Sequence, residues 1–382
     1  MLAWFDRHRR DLPWRRSRDP YRIWLSEVML QQTRVETVLP YYERFLARFP
    51  TVEELAGARL DEVLALWSGL GYYRRARQLH AAAVRIAAAG AFPRTFAGLR
   101  ELPGIGDYTA AAVASIAFGV AVPVMDGNVE RVMARRLALA EDPKSGGPRR
   151  RLLAAAAELL DAARPGDSNQ ALMELGATLC LPARPRCLLC PVRGGCRAGL
   201  AGQPELYPPA RRKRAQESLE LLVAVAMRGD RVLLYRRSAE SELLAGTWEL
   251  PWIEAAGPAG PQGLAEKYGG TWRLGGPLAE VRHGITYRDL RVTVCRAELG
   301  WTAAAEVREG GESGDSGWFD AAERAALPMS SLVGKVLAAV AAAPAGPARE
   351  AAEAGRQEPA SAGSASVTGS AVRSRGRPAS RS

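Results

Sequence analysis

The chain is short of the features that mark exported and membrane proteins. Only five cysteines occur in 382 residues. The N-terminal stretch MLAWFDRHRRDLPWRR lacks both an apolar core and a small-residue cleavage site, so it does not read as a secretory signal. Without an export signal, five cysteines argue against a disulfide scaffold and toward a metal site. No uncharged apolar run of about 18 residues is present, which argues against a membrane span. Strand–helix alternation is missing from the first 200 residues, so a parallel α/β sheet is not expected there. Acid is also in deficit, with 41 Asp and Glu against 52 Lys and Arg, a net charge of +11. That balance suits a polyanionic partner, and an arginine-rich composition accounts for it equally well.

What is present divides into two folded parts and two connecting or trailing ones, in line with about one domain per 150 residues. Residues 1–200 read as all-α. Asp19-Pro20 has the order of a cap followed by a first helical residue, and YRIWLSEVMLQQT follows it with broad apolar faces. Further helical patterns cover 52–66, 73–89, 109–118, 128–139 and 149–163. Residues 201–216, with Pro204, Pro208, Pro209 and the run Arg211-Arg212-Lys213-Arg214, read as an exposed basic linker. From 217 to 342 the pattern becomes α+β. LELLVAVAM and VLLYRR flank a Gly-Asp turn as a hairpin, LRVTVCRAEL alternates as a strand, and 331–342 closes as a helix. Residues 343–382 have almost no large apolar side chains and should remain disordered, with RSRGRP at most brushing nucleic acid.

Three constellations carry chemistry. In the first, Leu102-Pro103-Gly104-Ile105-Gly106-Asp107-Tyr108 reads as a tight turn opening a helix, with two glycines giving backbone freedom and Asp107 placed to cap. Such a turn offers amides to an anion. A dinucleotide site would need a third glycine, where Thr109 stands, and a preceding strand. In the second, Cys180, Cys187, Cys190 and Cys196 are separated by six, two and five residues. Four thiolates close a tetrahedral site for structural zinc or an iron–sulfur cluster, and the uneven spacing, with one short knuckle only, favours the cluster. Cys295, in a strand pattern, reads as core, and His8 and His80 show no evident partner. In the third, Glu27 lies in the apolar helix segment WLSEVML, where desolvation raises a carboxyl's proton affinity, while Asp126 opens a helix beside Gly127, where backbone donors favour the anion. One acid and one anion in separate environments suit cleavage of a glycosidic bond.

Taken together, the hairpin, the aspartate at 126 and the cysteine spacing resemble the helix–hairpin–helix DNA glycosylases of the endonuclease III superfamily over residues 1–205. WLSEVMLQQTRVETV, GLGYYRRARQLH and VMDGNVERV are similar to the MutY-type adenine DNA glycosylases. This resemblance implies a base-excision repair enzyme acting on double-stranded DNA that carries adenine opposite 8-oxoguanine or guanine. It also implies one 4Fe–4S cluster on the four cysteines, no membrane partner, and a cytoplasmic, nucleoid-associated bacterial monomer.

Carried over position by position, Glu27 takes the place of the general acid at adenine N7 and Asp126 that of the group stabilising the cationic sugar. Asn128 and Tyr108 take the places of groups supporting the sugar. Gln32 and Tyr72 stand for the pair that wedges into the base stack, Trp14 and Arg15 for pocket residues near adenine, and Gly104 and Gly106 for the phosphate-binding hairpin. Bifunctional members carry a lysine where Tyr108 stands; without that amine no Schiff base forms, so the resemblance implies a monofunctional glycosylase.

In the second domain, Leu244-Ala245-Gly246-Thr247-Trp248-Glu249-Leu250-Pro251 resembles a Nudix-like lesion-reading domain. Residues 264–276 hold only Glu266, too few glutamates for metal-dependent hydrolysis, so this domain should bind rather than hydrolyse. The family's Phe-Ser-His loop is here Ile285-Thr286-Tyr287, in which Thr286 keeps the hydroxyl and the flanking residues differ. Two alternatives to this reading are a bifunctional glycosylase-lyase and a non-catalytic mismatch-binding protein.

Overall fold

Asp19 and Pro20 start the helix on which the site depends. The Asp19 carboxylate accepts the Tyr21 N–H at 2.9 Å, and Pro20 takes the first helical position of α2 (Pro20–Leu30). Such a cap contributes on the order of 1 kcal/mol. The computed structural model describes residues 1–343 apart from 211–214, 239, 242–243, 258–259, 286, 301–307 and 310–315.

Burial surrounds α2 on most sides. Ile23, Trp24, Leu25, Val28 and Met29 all lie inside. Whereas α1 (Leu2–His8) sets Trp4 against a second core, α3 (Val35–Arg48), α4 (Val52–Gly57), α5 (Leu60–Leu66) and α6 (Arg74–Ala89) pack with them around a core that includes Phe45, Phe49 and Trp67. Each such side chain, fully buried, contributes roughly 1.5–3 kcal/mol. The single helix expected over 52–66 is broken at Ala58, whose backbone is extended at ψ 152°. The Ala58 carbonyl accepts from His80 Nε2 at 2.9 Å, so this histidine does have a partner, and a structural one. His8 likewise bonds the Trp4 carbonyl at 2.9 Å and stacks on its ring.

A second core gathers α7 (Phe96–Arg100), α8 (Asp107–Phe118), α9 (Gly127–Leu137), α10 (Gly146–Ala157) and α11 (Pro165–Thr178) around Val124, Met133, Leu152, Leu172 and Leu175. The helix expected to reach 163 stops at Ala157. The reason is Asp161, whose side chain accepts the N–H groups of Ala163 and Arg164 at 2.9 and 3.0 Å and turns the chain into α11, a helix the pattern did not single out. After the cysteines, α12 (Arg197–Leu200) buries Ala198, and Arg135 of α9 donates to the Tyr207 carbonyl at 3.0 Å. The chain is therefore tied to the helical domain as far as Tyr207, beyond the expected start of the linker. The basic run 211–214 and the tail from 344 onward lie outside the described residues.

The second domain follows the expected pattern. β1 (Glu217–Arg228) and β2 (Arg231–Arg236) form the hairpin, pairing Met227 with Val232. β3 (Trp248–Glu249), β4 (Trp252–Glu254), α13 (Pro261–Tyr268), β5 (Thr271–Ile285) and β6 (Arg288–Gly300) come next, then β7 (Arg308–Glu309), β8 (Ser316–Phe319), α14 (Ala321–Ala325) and α15 (Ser331–Ala342). The sheet order is β5-β6-β1-β2-β8-β7, with β3 on β2 and β4 on β1, and β1 runs parallel to β6. Side chains of β1 alternate between faces. Leu221, Val223 and Val225 meet Val333 and Val336 of α15, while Ala224 and Ala226 share the other face with Leu264 of α13 and with Trp272. Cys295 is buried in β6, as a core residue should be.

The two domains touch at named atoms. Ser68 Oγ donates to the Met329 carbonyl at 2.9 Å, and the Tyr73 hydroxyl donates to the same oxygen. Arg236 pairs with Asp61, and Arg77 donates to the Ala245 carbonyl. Among the described residues, no helix is long and apolar enough to cross a membrane.

Candidate active site

The helical domain carries a cleft of about 1050 Å³. Glu27, Tyr108, Asp126, Asn128, Trp14 and Arg15 line it, with Gln32 and Gly106 at its edge. Residues spread from position 14 to position 128 are thus brought together by the 3-10 turn Pro13–Arg15 and by α2, α8 and α9.

Glu27 is 5% exposed on the inner face of α2. Burial pushes its carboxyl up to about 7; the Tyr108 hydroxyl, donating to Oε2, opposes this, the Asp126 charge adds to it, and Arg15 works against it. The Tyr108 hydroxyl also lies 3.3 Å from Met173 Sδ. Buried beside two carboxylates, that phenol is held far above its ordinary range and remains protonated.

Asp126 is the N-cap of α9. Its Oδ1 accepts the Val129 N–H at 2.7 Å and its Oδ2 accepts from Asn128 Nδ2 at 3.1 Å, so the expected donors are in place. They do not keep its proton affinity below the usual carboxylate range. Burial outweighs them, and the Asp126 carboxyl is raised as well. Both acids are therefore displaced upward, and the large displacement belongs to Glu27.

The hairpin needs one glycine for its geometry. Gly104 has φ +74°, and a Cβ there would come within 2.6 Å of Gln78 Cβ. Gly106 is extended at φ −88°, ψ −178°, and a Cβ there would meet nothing within 4 Å. The backbone thus demands glycine only at 104, a correction to the paired reading. Asp107 does not cap either; it is the first residue of α8 and pairs with Arg100 at 2.8 Å. With no side chain capping α8, its first-turn amides are left for an external acceptor.

Trp14 is buried edge-on to Tyr42, with ring centroids 5.3 Å apart. Arg15 is held by Glu174, its Nη2 donating to Oε2 at 2.8 Å. Gln32 is exposed at φ +60°, and Tyr72 is 45% exposed at φ +51° on the turn before α6, away from the cleft lining. Thr286 lies outside the described residues.

The four clustered cysteines line one small cavity, and none forms a disulfide. Arg135 Nη1 donates to Cys180 Sγ at 3.3 Å and the Gly199 N–H to Cys196 Sγ at 3.4 Å, donors that suit thiolate sulfur. Among the described residues, no three His, Cys, Asp or Glu side chains converge tightly enough to hold a single metal ion. A single zinc would need sulfurs about 2.3 Å from one point. The four thiols share one small cavity, a ligand set of the kind that holds a metal centre.

Several side chains that line or brace the cleft escaped the sequence reading. Glu174 is 1% exposed and binds both Arg10 and Arg15 across more than 150 residues of chain. Burial alone would raise its carboxyl, but the hydrogen bonds and charges of the two arginines overcome this and hold it at about 2. Asn169 pins the segment leading to Asp126, accepting from Val124 N–H at 3.1 Å and donating to the Val122 carbonyl at 2.8 Å. Arg131 joins Asn128 Oδ1 to the carbonyls of Gly176 and Cys180. Gly176 packs so closely on this arrangement that a Cβ would fall 2.6 Å from Asn128 Cβ. A polar residue inside the apolar run ALMELGATL was the one signal pointing to Glu174.

A family model described as HhH-GPD superfamily base excision DNA repair protein matches residues 25–156, and one for the NUDIX domain matches 222–339. Together with the hairpin, the two-carboxylate cleft and the cysteine loop, these define a class: a helix–hairpin–helix base-excision repair fold followed by a Nudix domain. A Homo sapiens adenine DNA glycosylase is 42% identical over 309 residues, covering 66% of this chain and 56% of the relative. The Arabidopsis thaliana adenine DNA glycosylase is 41% identical, covering 66% of this chain and 46% of the relative. That of Schizosaccharomyces pombe is 34% identical over 331 residues, covering 70% of this chain and 71% of the relative. The chain belongs to the adenine DNA glycosylase family. It spans little more than half the length of the human relative.

Proposed function

We propose that the chain is a monofunctional adenine DNA glycosylase that hydrolyses the N-glycosidic bond of adenine opposite 8-oxoguanine or guanine and leaves an abasic site. The observation that carries this reading is the pair Glu27 and Asp126 in one cleft, the first raised to about 7 and the second held by helix-terminal donors. Near neutral pH a carboxyl at about 7 is half protonated, the state required of a general acid. Glu27 gives its proton to adenine N7, the C1′–N9 electron pair leaves with the base, and cationic charge develops on the sugar. Asp126, as the anion beside that charge, stabilises it until water adds at C1′ and releases a proton to solvent. Tyr108 keeps its proton and hydrogen-bonds the acid; having no amine, it forms no covalent adduct. The hairpin amides and the basic surface bind phosphates, and the enzyme acts as a cytoplasmic monomer on duplex DNA.

The test is an excision assay on duplexes with adenine opposite 8-oxoguanine, guanine, cytosine and thymine. Release of adenine from the first two, with no borohydride-trapped adduct, is the expected result. Equal turnover on all four defeats the lesion preference alone, and a trapped adduct defeats the monofunctional assignment.

The residues that would hold a 4Fe–4S cluster are Cys180, Cys187, Cys190 and Cys196, and when bound such a cluster supplies a cross-link that orders the loop after α11. Cys187→Ser should lose brown colour, iron and acid-labile sulfide together. If zinc is recovered from the wild-type protein in place of iron, the cluster assignment is wrong.

A further inference from the structure

The two turns read as the wedge share an unusual backbone. Gln32 and Tyr72 both have positive φ, at 60° and 51°. Left-handed backbone at non-glycine residues costs on the order of 1 kcal/mol or more and persists only where neighbouring groups impose it. One guanidinium reaches both turns. From the first turn of α6, Arg75 Nη1 donates to the carbonyls of Val28, Met29 and Gln31 at 2.8, 3.0 and 2.6 Å. Its Nη2 faces Thr33 Oγ1 at 3.4 Å and the carbonyls of Leu70 and Gly71 at 3.4 and 3.3 Å. The first set includes carbonyls near the end of α2, where the Thr33 N–H reaches only the Leu30 carbonyl. The second belongs to the turn before Tyr72, and the guanidinium carbon lies 5.4 Å from the centres of both the Tyr72 and Trp67 rings.

We propose that Arg75 is a positioning residue that fuses these two turns into one rigid wedge, so that Gln32 and Tyr72 enter the duplex in fixed register. Its amino groups are occupied by protein acceptors, so it acts through the turns and not by holding phosphate. A planar fork with donors on two edges can join two turns in this way, whereas lysine, a single point charge, cannot. The inference rests on reading Gln32 and Tyr72 as the groups that fill the gap left by an extruded base, a step that costs a few kcal/mol.

The experiment uses the full chain with Arg75→Lys and Arg75→Gln, each alone and combined with Gln32→Ala and Tyr72→Ala. Single-turnover adenine release is measured from a paired A:G duplex and from a duplex with adenine facing an abasic site, where extrusion is already cheap. Arg75→Lys is expected to slow release from the paired duplex about tenfold, within the usual range for coupled neighbours, and to leave the abasic-opposed substrate within about twofold. In the Gln32→Ala/Tyr72→Ala background it should add less than about twofold. A partly unfolded variant loses both substrates in proportion, so the ratio between them carries the result. An unchanged ratio, or effects that simply multiply, overturns the proposal. If Gln32→Ala and Tyr72→Ala leave that ratio untouched, the wedge reading falls and this inference with it. That result is distinct from one in which the wedge variants are defective and the Arg75 variants are normal.

Discussion

Glu27→Gln is expected to lower adenine release by about 10²–10⁴-fold while duplex binding is retained, the loss that follows from deleting the general acid proposed above. Glutamine keeps the shape of the side chain and an oxygen to accept from Tyr108, but it has no acidic proton. The same argument fixes the pH profile of the wild type. Because burial raises Glu27 to about 7, the reactive protonated form dominates below that pH. Titration of Glu27 alone should therefore leave the rate level below about 7 and lower it about tenfold per unit above. Asp126 must be ionised, and since burial raises it too, the acid edge of the profile moves up and the working interval narrows. The two apparent values belong to the coupled pair.

Stability provides an independent check of Glu27. A group that holds its proton more tightly when folded penalises the folded state once pH rises above its unfolded value. At alkaline pH, Glu27→Gln should therefore be more stable than wild type, by on the order of 1–3 kcal/mol. A variant that is both inactive and more stable marks a site where function was retained at the expense of stability. Normal adenine release by Glu27→Gln, or a flat profile from about pH 6 to 9, would falsify the assignment.

The second large effect is expected at Glu174. Glu174→Gln leaves Arg15, 10% exposed, facing a neutral amide, while Arg10, 39% exposed, is screened by water and adds little; breaking the buried pair costs about 3–5 kcal/mol. Against a typical total of roughly 5–15 kcal/mol, that approaches unfolding. The linkage has a definite sign. The carboxyl is held at about 2 in the fold, below its ordinary value, so its contribution is complete above about pH 5 and fades as pH falls toward 2. Urea unfolding of wild type and variant should thus differ most at neutral pH and converge in acid. A difference below about 1 kcal/mol at pH 7 would show the network to be nearly neutral. Adenine release should also weaken in the folded fraction, because Arg15 loses the anchor that holds it at the cleft wall.

Local signals carried most of this protein. Glu27 in an apolar helix, Asp126 before Gly127-Asn128, Gly104 in its turn and the cysteine spacing each report chemistry through near neighbours; the cleft unites the two acids, and the cysteines line a separate cavity. Period-two alternation likewise gave the β1–β2 hairpin and β6 correctly. What stayed hidden depends on distant partners. Asp107 has the residue type of a cap, yet Arg100 claims it; Gly106 has the look of a strained turn, yet its backbone is extended. The donors expected at Asp126 are present, but counting donors near a helix start says nothing of how deeply the start is buried, and that burial raises its carboxyl. Glu174, Asn169 and Arg75 were invisible because their acceptors and donors lie tens to more than a hundred residues away.

The grip of Glu174 on Arg10 and Arg15 also bears on how the protein is made. The cleft wall is stitched from the opening segment of the chain and a helix 164 positions later. A nascent chain leaving the ribosome therefore has no finished pocket until α11 has emerged. Its early helices can close their own core first, while Arg10 and Arg15 wait for the carboxylate that only a late helix supplies.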